Sequence, residues 1–452
     1  MLPVYDIDRI VFASSLAVHI IIASITIGMP FAIGTLELYG ILKKDESIKN
    51  LAQRISTLIL VLFAIGTLSG TIVALEIYIL FPKFMQIVSN TAIISLYIEI
   101  LAFFIESLFV GIYFYSFKKY NNSILHPIFM YLIGIFGAMS GFLIITLNAF
   151  MNYPVGIEYL NGQYIDINPY SIFFTPIEFI EVFHGILASF EFGLSIFVLF
   201  ISYKILKEGD IENIKIYGKA LKLTIPILFL SILLLGIFGI NSIDTLAKYQ
   251  PVKYATLEAN LNGNISNAPE NLFGIVTNNY TLIDSIQIPN LQSLLYGSFN
   301  PNTIVPGIYA NESYIPSIND ITIAHNSFDI MAIFGFLIFF ISLYGLISLI
   351  ISKEDKKDKK FTLNPKYTFY MNKLLLYGLI LLSVLSLISL ETGWVAAEVG
   401  RQPWTIYGIL LTRDAANLNL GVIPIAIAFE LIYISLFVLS ILAIKRYFIN
   451  KL

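Results

Sequence analysis

Segment 391–415 of this sequence carries acidic, basic and aromatic side chains at spacings that could hold a cofactor or an ionic site. Glu398 and Arg401 are three residues apart, so in a helix they share one face, and Trp394 lies one turn before Glu398. A carboxylate and a guanidinium at the end of a long apolar run are costly unless they bind something. The alternative is an interfacial anchor, because aromatic residues and Arg also collect at the ends of membrane helices.

Two of the four histidines lie inside apolar runs. His19 and His184 could be hydrogen-bonded between helices, or they could be axial ligands of haem iron. Met331 opens a later run at about the depth of His184, and a His/Met pair would suit a six-coordinate, low-spin haem. A lone Met is usually a packing residue. The other histidines, His126 and His325, lie at the ends of runs and are interpreted as interfacial.

A third group consists of polar side chains within apolar runs. Glu99 and Glu106 are seven residues apart, which puts them on one helical face about 10 Å apart. Two stacked acids predict a proton relay or a partner for a cationic or metal centre, or else a pair hydrogen-bonded across helices. Ser140 and Asn148 can likewise share a face of the next run. A proton-coupled secondary transporter would use such carboxylates too, but no internal repeat is evident.

The composition fixes the class of protein. The chain has 452 residues, of which 57% are hydrophobic and 13% charged, and its mean hydropathy is +0.80. A soluble protein could not bury so much apolar surface, so an integral membrane protein is predicted. With no cysteine, disulfides, thiolate metal sites and iron–sulfur clusters are excluded. The few histidines also argue against a copper–haem oxidase, which needs a cluster of them.

The positions of the apolar runs predict an all-α integral membrane protein, a bundle of nine transmembrane helices with a large extracytoplasmic loop. Runs long enough to cross about 30 Å of hydrocarbon occupy residues 11–36, 55–81, 92–116, 127–150, 177–203, 219–240, 328–352, 374–398 and 420–444. Most Lys and Arg residues follow the odd-numbered runs, which predicts an outer N-terminus and a cytoplasmic C-terminus. Three regions result: helices 1–6 in 1–240, a long outer loop in 241–327, and helices 7–9 in 328–452.

Several stretches together resemble subunit I of cytochrome bd-type quinol oxidases. The most specific is GWVAAEVGRQPW at 393–404. The others are MLPVYDIDRIVFASSLAVHI at the start, ILAFFIESLFVG, NAFMNYPVG, QPVKYATLEA in the long loop, and SFDIMAIFGF around Met331. The resemblance covers nearly the whole chain.

The resemblance implies a set of haem ligands. His184 and Met331 would ligate a low-spin haem b, and His19 and Glu398 would be axial ligands in a pair of high-spin haems. That pair would be a haem b with either haem d or a third haem b, and oxygen would be reduced there. Trp394 would lie between the haems, and Arg401 would neutralise haem propionates.

The resemblance also implies substrate and proton sites. Lys253 and Glu258 match the pair that binds quinol in the long loop, while Glu99, Glu106, Ser140 and Asn148 match a proton path to the oxygen site. Quinol would be oxidised at the outer face and oxygen reduced to water with cytoplasmic protons, so a proton gradient would arise without pumping. The expected location is a prokaryotic cytoplasmic membrane.

Partners are implied as well. A second membrane subunit is expected, either subunit II or a paralogue of subunit I, and a small single-span accessory subunit can accompany it. Membrane quinol and O2 are the expected substrates, and no nucleic acid is expected. The alternative within the same superfamily is a haem quinol oxidoreductase with only b-type haems or with a different acceptor.

Two features depart from the family pattern. The acids Glu99 and Glu106 are seven residues apart, where the family has eight. Asp329 stands where some members carry Arg, so a propionate contact is missing there. A carboxylate at this point would stabilise the oxidised, more positive haem and lower its midpoint potential.

Overall fold

A computed structural model describes residues 4–120, 122–160, 163–165, 167–296, 299–309, 314–352 and 368–449. Within these ranges nine helices are long and apolar enough to cross a membrane, which confirms the predicted bundle. They are α1 (Val4–Lys43), α2 (Glu46–Leu80), α4 (Ile93–Tyr120), α5 (Leu125–Asn152), α6 (Glu178–Lys207), α7 (Ile211–Tyr249), α10 (Ile318–Ile351), α11 (Lys373–Val399) and α13 (Val422–Ile444).

Short elements connect the long helices. The short α-helices are α3 (Pro82–Thr91), α8 (Pro251–Leu257), α9 (Leu291–Tyr296) and α12 (Thr412–Ala415). Short 3₁₀ helices span Pro169–Phe174 and Phe369–Met371, and a π-helical turn spans Lys445–Ile449. The strands pair antiparallel as β1 (Glu158–Leu160) with β2 (Gln163–Ile165), β3 (Glu270–Leu272) with β6 (Ile286–Ile288), β4 (Ile275–Val276) with β5 (Leu282–Ile283), and β7 (Trp404–Ile406) with β8 (Leu410–Leu411).

The long loop is shorter than the predicted range 241–327. Helix α7 continues to Tyr249 and α10 already begins at Ile318, so the long loop between them is 250–317. Pro251 stops α7 because proline has no amide hydrogen and disfavours a helical residue before it. At the other end Ser317 caps α10 by accepting a hydrogen bond from the Asp320 amide at 3.1 Å.

Helices α1 and α6 touch through their backbones, which brings the helices of His19 and His184 together. A Cβ at Gly28 would lie 2.2 Å from the Phe190 carbonyl oxygen, and one at Gly193 would lie 2.5 Å from the Ser24 carbonyl oxygen. Only glycine permits this approach, as at other close helix crossings in membranes.

The bundle is apolar both inside and outside. Met29, Leu62, Phe197 and Leu379 are among the buried residues of the main core, each at most 1% exposed. Many large apolar side chains are exposed on the outer helix faces, as expected where a surface meets lipid or another membrane subunit. The chain is thus a multi-pass membrane protein.

Candidate functional site

The His19 ring is hydrogen-bonded through Nδ1, which leaves Nε2 free of that contact. Its Nδ1 lies 2.9 Å from Ser69 Oγ, and that hydroxyl donates its proton to the Gly66 carbonyl oxygen at 2.9 Å. When the Ser69 hydroxyl donates to that carbonyl, His19 Nδ1 donates to Ser69 Oγ, and the lone pair of Nε2 is available. Such orientation by the second ring nitrogen is typical of metal-ligating histidines.

Three of the predicted iron ligands, His19, His184 and Met331, each face a glycine of a neighbouring helix. A Cβ at Gly70 would lie 3.0 Å from His19 Cε1, one at Gly239 would lie 3.3 Å from His184 Cε1, and one at Gly393 would lie 3.0 Å from Met331 Sδ. Side chains larger than glycine at these points would press on the ligand atoms.

The donor set fits haem iron. His184 Nδ1 is buried without a hydrogen-bond partner in the described structure, while the ring also bonds to the backbone of Leu235 on α7. An imidazole and a thioether are established axial ligands of haem. No cluster of three or more His, Asp or Glu suited to a bare metal ion occurs in the described part of the chain.

Glu398 and Arg401 form an ion pair, as their spacing predicted. Arg401 Nη2 donates to Glu398 Oε2 at 2.5 Å, and Asn148 Nδ2 donates to Glu398 Oε1. The Arg401 side chain is 3% exposed and the Glu398 side chain 33%. Since both carboxylate oxygens are occupied, iron ligation by Glu398 would require one of these bonds to open. Trp394 is half-buried against the main core, one turn before Glu398.

A chain of amides connects this pair to the long loop. Asn152 Nδ2 donates to Asn148 Oδ1 at 2.9 Å, and Lys253 Nζ donates to Asn152 Oδ1 at 3.2 Å. Burial lowers the pKa of Lys253, although the neighbouring Glu181 carboxylate opposes the shift. Lys253 and Arg401 both line a small cleft beside Trp404. Asn148 and Ser140, which were both predicted to line the proton path, thus have different partners. Asn148 bonds to Glu398, whereas Ser140 bonds to Glu99.

Glu258 does not join Lys253 but lies in a second buried cluster. It neighbours Glu270 and Asp329. Burial, and then the charge of Glu270, raises the pKa of Glu258 well above its usual range, and burial raises the pKa of Glu270 to about 7. The two predicted quinol-loop residues thus lie in separate environments, one basic and one acidic.

The interpretation of His325 as interfacial is wrong. The ring is fully buried, with Nδ1 2.7 Å from the Leu257 carbonyl oxygen and Nε2 3.3 Å from the Phe273 carbonyl oxygen. Nε2 also lies 3.6 Å from Asp329 Oδ2, which accepts a 2.5 Å hydrogen bond from the Phe273 amide. Both ring nitrogens thus face backbone carbonyls of the long loop, beside the Asp329 carboxylate.

The acidic cluster predicts a pH-dependent loop. The pKa of Glu270 rises from 4.5 to about 7 on folding, so the folded loop binds more protons than the unfolded one and loses stability as pH rises through this window. Glu258 acts in the same direction. We expect amide-exchange protection factors in 258–296 to be lower at pH 8 than at pH 5, after correction for intrinsic exchange. The Glu270→Gln variant should show a smaller difference, and equal protection at both pH values in the unaltered protein would contradict the prediction.

Asp329 lies two residues before Met331, so its charge should act on a haem held there. We expect Asp329→Asn to raise the midpoint potential of the low-spin haem by tens of millivolts, because the carboxylate stabilises the oxidised form. The rise in midpoint potential is limited because His325 lies beside the Asp329 carboxylate. The measurement is a redox titration of the haem band, with Asp320→Asn at the start of α10 as a control. An unchanged potential would show that Asp329 only anchors the loop.

Glu99 and Glu106 both contact α5. Ser140 Oγ donates to Glu99 Oε1 at 2.6 Å, and Glu106 Oε1 would lie 3.1 Å from a Cβ at Gly137. Glu106 is 4% exposed and makes no ion pair in the described residues. Buried acids with hydroxyl or no partners can exchange protons more readily than acids held in salt bridges.

Sequence reasoning missed a further buried site. The interpretation of His126 as interfacial is wrong, because the ring is fully buried and its Nδ1 lies 2.7 Å from Glu37 Oε1. Both residues fall one position outside the apolar runs 11–36 and 127–150, so neither was counted as intramembrane. Their side chains face each other inside the bundle because α1 continues to Lys43 and α5 already begins at Leu125.

Comparisons with known proteins agree on one family. The family described as cytochrome bd terminal oxidase subunit I matches residues 7–452. A putative cytochrome bd menaquinol oxidase subunit I of Bacillus subtilis is 30% identical over 97% of this chain and 95% of its own length. A cytochrome bd ubiquinol oxidase subunit 1 of the same organism is 27% identical over 91% of this chain and 86% of its own.

A solved structure has the same fold. The bd oxidase from Geobacillus thermodenitrificans superimposes with a TM-score of 0.87 and 28% identity, covering 100% of this chain and 99% of the other. Family match, relatives and structure each span the nine helices and the long loop together. The chain belongs to the cytochrome bd terminal oxidase subunit I family.

Proposed function

We propose that this chain is the haem-carrying subunit of a terminal oxidase that oxidises membrane quinol at the outer face and reduces O2 to water with cytoplasmic protons. A proton gradient then arises without pumping, since protons are released and consumed on opposite sides. The observation that carries the proposal is the connection from Lys253 to Glu398 through Asn152 and Asn148, which joins the predicted quinol position to the predicted oxygen site.

The long loop supplies the quinol site. Lys253 Nζ, in the cleft shared with Arg401, can donate a hydrogen bond to a quinol oxygen. Burial raises the pKa of Glu270 to about 7, so near neutral pH it can accept and pass on the protons that quinol releases, and Glu258 lies beside it.

Three haems are assigned to the bundle. His184 and Met331 would hold the low-spin haem b, and His19 and Glu398 the high-spin haem b and the haem d or third haem b, with Trp394 between them. Bound haem supplies one-electron transfer and the reduction of oxygen. Ser69 would orient the His19 ring through its contact with Nδ1, and the Arg401 guanidinium would bind propionates.

Protons for water would travel through Glu106 and Glu99 on α4. Ser140 keeps Glu99 hydrogen-bonded, and Gly137 leaves room for the Glu106 carboxyl group. The position of Lys and Arg supports an outer N-terminus and long loop and a cytoplasmic C-terminus. The exposed apolar helix faces leave room for a second membrane subunit, either subunit II or a paralogue of subunit I, and for a small accessory subunit.

A difference spectrum tests the proposal. Membranes containing this chain and its partner subunit are reduced with dithionite and compared with air-oxidised membranes, and quinol-driven oxygen uptake is recorded on the same sample. A chlorin band well to the red of the b-haem bands, with uptake, is the expected result. Uptake with b haem alone would favour the all-b alternative, and a folded protein without haem would overturn the proposal. The family assignment leaves the transporter hypothesis without support.

A further inference from the structure

The unexpected feature of the bundle is a sealed cluster of Glu37 on α1, Tyr113 on α4 and His126 on α5. All three side chains are fully buried. Tyr113 Oη donates to Glu37 Oε2 at 3.0 Å, His126 Nδ1 lies 2.7 Å from Glu37 Oε1, and His126 Nε2 lies 3.1 Å from the Tyr113 carbonyl oxygen. Since a carbonyl only accepts, Nε2 carries a hydrogen, and a single proton is shared between Nδ1 and Glu37.

The cluster lies at the end of the bundle opposite the long loop. His126 is in the first turn of α5, whereas Asn152, which binds Lys253, is the last residue of the same helix. A helix from 126 to 152 spans about 39 Å. The cluster is therefore at the end where water-forming protons are taken up in the proposed orientation.

The cluster continues the row of acids on α4. Glu99, Glu106 and Tyr113 follow one another at intervals of seven residues, so they lie on one helical face about 10 Å apart. The hydroxyls of Thr35 on α1 and Tyr131 on α5 are 3.0 Å apart. They lie between the level of Glu106 and the level of the Glu37–His126 pair, where α1 packs against α5. The row thus has polar groups from the end of the bundle to Glu99.

A second polar group lies near the cluster, on the side of solvent. Glu46 has a side chain 67% exposed and pairs with Lys49, whose side chain is 4% exposed. Lys49 Nζ also donates to Asn122 Oδ1. Asn122 precedes His126 by four residues, and Lys49 packs on Gly40, one turn beyond Glu37.

We propose that the Glu37–His126 pair is the relay through which protons from the aqueous side reach Glu106 and Glu99. One proton arrives at the pair from the Lys49 side as another leaves toward Glu106, so the charge of the pair is unchanged after each transfer. The proposal rests on the proposed oxidase function. A pair that served only to join helices would not need a proton that can lie on either partner.

The Glu37→Gln variant distinguishes a proton relay from a pair that only joins helices. A glutamine at this position can accept from Tyr113 and donate to His126 Nδ1, so every hydrogen bond of a neutral cluster is kept, but the group cannot carry a proton. In the complete enzyme we expect haem content and the reduced spectrum to be unchanged. Quinol-driven oxygen uptake should fall on the order of a hundredfold, and the solvent deuterium isotope effect should rise. Glu37→Asp keeps a carboxyl group and should restore most of the rate.

Glu430→Gln is the matched control, because Glu430 also accepts a hydrogen bond within the membrane, from Ser14 Oγ at 2.6 Å, but lies outside the row. It should leave uptake and isotope effect unchanged. Full uptake in Glu37→Gln, with haem retained, would overturn the relay and assign proton uptake to another route, such as the partner subunit. Loss of haem in Glu37→Gln but not in Glu37→Asp would likewise overturn it in favour of a structural role. An unaltered complex without haem or uptake would instead refute the proposed function.

Discussion

Replacing His19 with alanine is expected to reduce quinol-driven oxygen uptake to background while the nine-helix bundle still assembles. The imidazole is the proposed iron ligand at this point of α1, and its contact with Ser69 through Nδ1 leaves Nε2 for the iron. Alanine removes the ligand and its contacts with Ser69 and Gly70 but adds no bulk, so the other contacts of α1 with α2 are kept. Difference spectra should show one high-spin haem lost and the low-spin band retained.

The Ser69→Ala variant should have a smaller effect than His19→Ala. It keeps the ligand but removes the acceptor that orients the ring, and loss of such a partner costs about 10- to 100-fold in metal affinity. We therefore expect haem that washes out more readily and reduced uptake rather than none. A His19→Ala enzyme with full haem content and normal uptake would refute the assignment of His19.

Replacing Arg401 with leucine is the second change with a large expected effect. The guanidinium is buried and bonded to Glu398 Oε2, to Asn152 Oδ1 at 3.4 Å and to the Trp404 carbonyl oxygen at 3.4 Å. Breaking a buried ion pair costs about 3–5 kcal/mol, and the partial exposure of Glu398 reduces this. We expect uptake to be lost and the haem bands to disappear at a lower temperature than in the unaltered enzyme.

Arg401→Lys is the matched control for charge. Lysine keeps the positive charge but not the planar fork of donors, so it can pair with Glu398 but cannot also reach Asn152 and Trp404. Intermediate uptake and intermediate thermal stability are expected. Equal losses of uptake and thermal stability in the Leu and Lys variants would mean that the site requires the planar set of guanidinium donors and not just a positive charge. Normal uptake in Arg401→Leu would remove this residue from the site.

Local spacing was enough to predict those parts of the site that lie within one helix. Glu398 and Arg401 form the expected pair because residues three apart in any helix are neighbours. Glu99 and Glu106 both contact α5 because residues seven apart lie on one face of a helix. The haem-ligand roles came from the resemblance rather than from spacing, and they remain predictions.

Contacts between distant segments could not be predicted in this way. Asn148 and Glu398 are 250 positions apart, and their hydrogen bond exists because α5 and the end of α11 reach the same level of the bundle. His126 and His325 lie at the ends of apolar runs but are buried by elements that the hydropathy pattern does not describe: the extended end of α1, and the long loop folded over α10.

The sequence by itself determined the class of protein and the number of spans. In lipid a backbone must satisfy its own hydrogen bonds, so each long apolar run has only the helix available to it. It did not determine which polar groups meet. Lys253 and Glu258 are five residues apart, yet α8 ends at Leu257 and the two side chains enter separate clusters. Such partners depend on where the chain turns and on how closely helices approach, as at Gly28 and Gly193, and only tertiary structure decides that.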